Sequence, residues 1–193
     1  MFARLFAALL ALFAKKPNTV AAPLPTYTPT PEPVKRPTGK GAAIGGVAGA
    51  ATIAAIVAFI GPWEGRRYTA YQDIVGVWTI CEGHTKGVKA GDVATDAQCD
   101  EMAAQDVAEH NAGIRACITR PMPQNVEIAF TSLAFNAGVG AFCGSTALRR
   151  YNAGDDTGAC DALNMWVRAG GKVVKGLVNR RAAESALCKK DST

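Results

Sequence analysis

Three residues at short spacing offer the most chemistry: Glu64, Asp73 nine positions later, and Thr79 six positions beyond that. Two carboxylates facing one cleft suit the hydrolysis of a glycosidic bond. One must keep its proton to donate to the leaving oxygen, and the other must stay ionised. Glu64 lies beside Trp63 and a long apolar stretch. Burial there would penalise the charged form, which makes it the candidate acid. Asp73 falls in a polar turn and is the candidate ionised partner, able to hold or activate water. The Thr79 hydroxyl would orient that water. Glu82 is read as a peripheral acid, His84 as a structural residue, and Trp78 and Trp166 as core.

Several elements must position these groups. Tyr68 to Ile80 is rich in Tyr, Val, Ile, Thr and Trp, broken by Asp73 and Gly76, and predicts short strands and turns. Helices follow. Thr95-x-x-Gln98 has capping-box form and opens a helix to about Asn111. Pro123 can begin the next, with Val126, Phe130, Leu133 and Ala137 on one face before Gly138. Ser145 can cap a short helix ending near Gly154. Two more are expected, from about Thr157 to Ala169 with Gly170-Gly171 as the stop, and from about Leu177 to Lys189. A small β region followed by a helical lobe is the outline, an α+β fold.

The first 61 residues divide differently. Residues 1–16 form a short apolar leader, too short to span a bilayer. Residues 17–40 hold seven prolines and read as an extended linker. Residues 41–61, GAAIGGVAGAATIAAIVAFIG, carry no charge and would make a helix of about 31 Å, enough to span. Only seven of its residues are Ile, Val or Phe, so insertion is worth only about −2 to −4 kcal/mol. Lysines and arginines before the stretch favour a cytoplasmic N-terminus and an exported C-terminal region. A buried core helix is the competing reading of the same stretch.

Charge and cysteine usage narrow the function classes. Of the formal +5, residues 1–63 supply six basic groups against one acid, leaving 15 of each sign from Glu64 onward. A formally neutral domain gives nucleic-acid binding no support. All six cysteines (81, 99, 117, 143, 160, 188) lie beyond the apolar stretch, as expected for disulfides in an oxidising compartment. Six cysteines allow 15 pairings, and spacing alone selects none. Cys81-x-x-His84 resembles half a zinc site, but Cys99 and His110 would complete it at unusual spacings, so no metal and no cofactor is expected.

The block EGRRYTAYQDIVGVWTICEGHT resembles the active-site segment of the phage-type lysozymes, and SLAFNAGVGAFCGSTALRR, GACDALNMWVRAGGKVVKGL and NRRAAES continue the likeness. It covers almost all of residues 62–193, departing at Cys81-Glu82, where many members carry glycine and a small or apolar residue. The resemblance implies a lysozyme-like α+β fold, with a small β-hairpin region and a mainly helical C-terminal lobe preceded by an apolar N-terminal helix. Its catalytic residues would be Glu64 as general acid, Asp73 as the carboxylate serving the attacking water, and Thr79 as its helper. Arg180 matches an arginine that can pair with the acid. The implied substrate is the β-1,4 bond between N-acetylmuramic acid and N-acetylglucosamine of peptidoglycan, cleaved with inversion. Implied pairings are Cys81–Cys99, Cys117–Cys143 and Cys160–Cys188. The 41–61 stretch is similar to an uncleaved signal-anchor-release segment, implying an enzyme tethered to the inner membrane and then released to the periplasm as a monomer. The alternatives are a virion-associated lysozyme, a lytic transglycosylase and a non-catalytic wall-binding protein.

Overall fold

The computed structural model describes residues 48–73 and 75–190. The leader, the linker and the first seven residues of the 41–61 segment lie outside them. Helix α1 (Ala50–Glu64) is alanine-rich, a composition that favours helix. Ile53, Ile56, Val57 and Ile60 line one stripe of it, at the spacing of a single helix face. Ile56 and Ile60 are fully buried against Val107, with Ile128 and Phe135 alongside. Burying two isoleucines contributes about 1.5–3 kcal/mol each. The described part of the apolar stretch thus packs on α2 and α3, introduced below. It also crosses the boundary expected between residues 61 and 62, because the helix runs on through Pro62 and Trp63 to Glu64. Among the described residues no helix is long and apolar enough to cross a membrane.

Gly65 breaks α1 with φ 73°, a conformation glycine adopts at little cost. The chain then enters an antiparallel hairpin of β1 (Arg67–Gln72) and β2 (Trp78–Cys81). Arg67 pairs with Cys81 and Tyr71 with Thr79, so four steps on β1 face two on β2. Such a bulge bends the strand. The bent segment is held from its other side, where Ala70 N–H donates to Asp92 O and Ala94 N–H to Tyr68 O.

Helix α2 (Asp96–Arg115) begins with the expected capping box: Thr95 Oγ1 accepts from Gln98 N–H and Gln98 Oε1 accepts from Thr95 N–H. It runs a turn past Asn111. Gly113 does not end it; a Cβ there would come within 2.8 Å of Val139 Cγ1, so the glycine admits a close neighbour. Helix α3 (Gln124–Ala137) is the hub of the main core, with Val126, Ala129, Phe130 and Leu133 all buried. Around it lie α4 (Val139–Cys143), α5 (Thr146–Asn152, capped by Ser145), α6 (Asp156–Ala162) and α7 (Lys175–Cys188). Phe130 packs against Phe142 and Tyr151, with ring centroids 5.1 and 5.3 Å apart.

The expected helix from Thr157 to Ala169 is shorter. It stops at Ala162, passes through one 3-10 turn (Leu163–Met165), and gives way to a two-stranded hairpin, β3 (Arg168–Ala169) and β4 (Lys172–Val173). Gly170 and Gly171 both have positive φ, 54° and 76°. They form the tight turn that such a hairpin requires, rather than a helix stop.

Three disulfides staple the lobe: Cys81–Cys99, Cys117–Cys143 and Cys160–Cys188, with Cα–Cα distances of 5.2, 5.9 and 5.6 Å. They are the pairings the resemblance implied. Replacing Cys160 and Cys188 by alanine should lower stability by about 3–4 kcal/mol, since a loop closed over 28 positions is released in the unfolded chain. The shift in the denaturation midpoint measures it.

Candidate active site

Glu64 is the last residue of α1, and its side chain is 20% exposed. Its Oε1 accepts a hydrogen bond from Arg180 Nη1 on α7 at 2.6 Å. The apolar surroundings expected for this carboxyl are therefore replaced by an ion pair, because α7 brings a guanidinium against the end of α1. Arg180 is not a solvated helix residue: only 3% of it is exposed. Its remaining donors are also used. Nε bonds Glu184 Oε1 at 3.2 Å, and Nη2 bonds the carbonyl and hydroxyl oxygens of Ser132 at 3.1 and 3.3 Å.

Behind Arg180 lies a buried charged row. Glu184 and Arg181 are both fully enclosed. Glu184 Oε1 accepts from Ser132 Oγ at 2.7 Å, Oε2 lies 3.0 Å from Arg181 Nη1, and Arg181 Nη2 donates to Asn136 Oδ1 at 2.6 Å. Burial pushes Glu184 above the usual carboxylate range, against the pull of Arg181, Ser132 and Arg180. Burial likewise lowers Arg181, with Glu184 opposing it. The row runs from α1 through α7 to α3 and fixes where the Glu64 carboxyl points.

Asp73 stands where β1 enters the hairpin turn. Its Oδ1 accepts from Val75 N–H and Val77 N–H at 2.9 and 2.8 Å. Its own N–H donates to Val77 O, and its carbonyl accepts from Gly76 N–H. One carboxylate oxygen thus shapes the turn, while Oδ2 takes no hydrogen bond from the described residues. Thr79, on β2 opposite Tyr71, is 4% exposed and donates from Oγ1 to Val77 O at 3.0 Å. Asp73 and Thr79 are therefore tied to one residue, Val77, whose carbonyl accepts from both. The donation also orients the threonine hydroxyl, leaving its lone pairs to accept from a further donor.

The other singled-out residues have structural work. His84 is buried between Asp106 Oδ2 (2.9 Å) and Lys86 O (3.0 Å). Cys81 is bonded to Cys99, so neither supplies a thiolate to a metal. Trp166 packs against the main core, and Trp78 is half-buried at the start of β2. Glu82 is 9% exposed on its side chain and pairs with Arg66 at 2.5 Å.

The phage lysozyme family profile matches residues 61–184, which contain every residue of this constellation. The chain belongs to the phage lysozyme family. A SAR-endolysin of Enterobacteria phage P21 is 43% identical to it over 153 residues, 76% of this chain and 91% of the relative. Among solved structures, the muramidase domain of SpmX from Asticaccaulis excentricus superposes with a TM-score of 0.65 at 34% identity, covering 69% of this chain and 93% of that one. The active form of the P1 phage endolysin Lyz gives 0.64 at 26% identity, covering 77% and 98%. The fold is lysozyme-like, and this phage lysozyme is a glycoside hydrolase.

Four members of the polar row, Ser132, Asn136, Arg181 and Glu184, escaped the reading of the sequence. Glu184 lies four residues after Arg180 and three after Arg181, spacings that place it beside both on a helix. The run NRRAAES otherwise looks like a solvated surface. Nothing local marks Ser132.

Proposed function

We propose that this phage lysozyme is an endolysin that hydrolyses the β-1,4 bond between N-acetylmuramic acid and N-acetylglucosamine in peptidoglycan, for host lysis. Glu64 donates a proton to the leaving glycosidic oxygen. Asp73 serves the attacking water through Oδ2, and Thr79 accepts one of that water's protons as a hydrogen bond. The observation that carries this reading is the division of labour between the carboxylates. One is aimed by Arg180, and the other keeps one oxygen without a partner among the described residues, while Val77, which binds it, also orients the Thr79 hydroxyl. With a water between them the reaction inverts at the anomeric carbon, which needs roughly 6.5–9.5 Å between the carboxyl groups.

The segment 41–61 tethers the enzyme to the inner membrane with its domain facing the periplasm, from which it is released as a monomer. The SAR-endolysins among its relatives and the weak hydrophobicity of the segment support this.

The test is digestion of purified peptidoglycan by the full-length protein, with the products read by mass and by the anomeric signals of fresh reducing ends. Hydrolysed N-acetylmuramic acid ends of α configuration are expected. Anhydro products would identify a transglycosylase, β ends a retaining enzyme, and intact glycan a wall-binding protein.

A further inference from the structure

Glu64 is flanked by two arginines that do different things. Arg180 holds its carboxyl. Arg66 lies two residues along the chain, on the far side of Gly65, and does not touch the Glu64 side chain. Its guanidinium donates in three directions: Nε to Glu82 Oε1 at 2.5 Å, Nη1 to Asp96 Oδ1 at 2.8 Å, and Nη2 to Asp100 Oδ1 at 2.6 Å. Tyr68 donates to the same Asp96 oxygen. One guanidinium therefore joins the turn after β2 to the first turns of α2.

Three carboxylates around a single cation leave surplus negative charge, and two of the three are largely exposed (74% and 64%). Exposed pairs of this kind add little stability. What the planar fork does supply is position, since it accepts partners only in fixed directions. The packing around it shows why position is needed. An open groove of about 250 Å³ lies between α1 and the lobe, lined by Val57, Ile60 and Gly61 together with Arg66 and Glu82. Along it Val57 and Gly61 are only half-buried, so the apolar hold on the last turns of α1 comes mainly from Ile56 and Ile60, one to two turns before Glu64.

We propose that Arg66 is a positioning residue for Glu64: its clamp on Glu82, Asp96 and Asp100 anchors the chain beyond the Gly65 hinge, so that the Glu64 carboxyl arrives at Arg180 in one orientation. This rests on Glu64 being the general acid. A displacement of about 1 Å at a reacting group is worth roughly 10²-fold in rate.

The experiment compares full-length wild type, Arg66→Met, Arg66→Lys and Asp96→Ala/Asp100→Ala on solubilised peptidoglycan. It measures kcat, KM and the melting temperature. Arg66→Met should lower kcat by roughly 10²-fold with KM within about twofold, at temperatures well below its melting point. Arg66→Lys, a point charge without the fork, should recover only a minor part of kcat. The Asp96→Ala/Asp100→Ala chain removes two of the three acceptors and keeps the buried Glu82 pair, so it reports on the clamp even if Arg66→Met fails to fold, and its kcat should also fall. Unchanged kcat in folded Arg66→Met or in the double variant, with or without a lower melting temperature, would overturn the proposal. A wild-type chain that cleaves no glycan would instead sink the glycosidase reading itself.

Discussion

Glu64→Gln is expected to lower the rate of glycan cleavage by about 10³-fold, within the range a positioned general acid contributes, while leaving the fold intact. The amide is close in shape to the carboxyl and can still accept from Arg180 Nη1 through its oxygen, so α1 keeps its seat. What it lacks is a proton acidic enough to give to the leaving oxygen. The measurement is turbidity loss of permeabilised Gram-negative cells, paired with the melting temperature. Equal clearing by both proteins would remove Glu64 from the role of acid. Asp73→Asn is a less clean substitution, since Oδ1 also ties the hairpin turn through Val75 and Val77.

Arg180→Met should be severe in a different way. It removes the partner of Glu64 and one of the two guanidiniums facing Glu184, which is fully buried. Breaking a buried pair from one side typically costs about 3–5 kcal/mol, a melting shift of roughly 10 °C for a chain of this size. The loss should depend on pH. Burial raises Glu184 above its ordinary range, so the fold favours its protonated form. The stability tied to that proton is present below the unfolded carboxylate's pKa, roughly 4.3, and is lost as pH rises through the raised folded value. With Arg180 gone, the deficit against wild type should therefore widen as pH increases. Arg180→Met/Glu184→Leu should not regain the stability, because Arg181, fully buried 3.0 Å from Glu184, would then lose its carboxylate and be left as an orphaned charge. Nor should it regain activity, since Glu64 would still lack its guide. Melting curves across pH, set beside clearing assays, separate the two effects.

The spacing of Glu64, Asp73 and Thr79 and the capping box at Thr95 were legible because each is a local pattern. The Gly170-Gly171 pair was legible as a break but not as a turn, since helix ends and tight hairpins call on the same conformational freedom. Disulfide partners could not be chosen from spacing. Most of the polar row was hidden because Arg181 and Glu184 look like any solvated helix face until α1 and α3 close over them, and Arg180 was singled out only through the family resemblance. Arg66 left the least trace. Its three acids lie 16, 30 and 34 positions away, and only the folded chain brings them together.

The placement of the disulfides has a consequence for how the molecule comes apart. All three bridges lie C-terminal to α1, and none crosses to it. Local opening therefore has a natural seam. The stapled lobe can stay closed while α1, joined to it through the Gly65 hinge and held by side-chain contacts, detaches as its own cooperative unit. The Glu64–Arg180 bond spans 116 positions, the longest reach in the site and one that such an opening breaks. The catalytic constellation then has a lower free energy of opening than the scaffold that displays it, and a chain can be nearly native by every global measure while holding no assembled site.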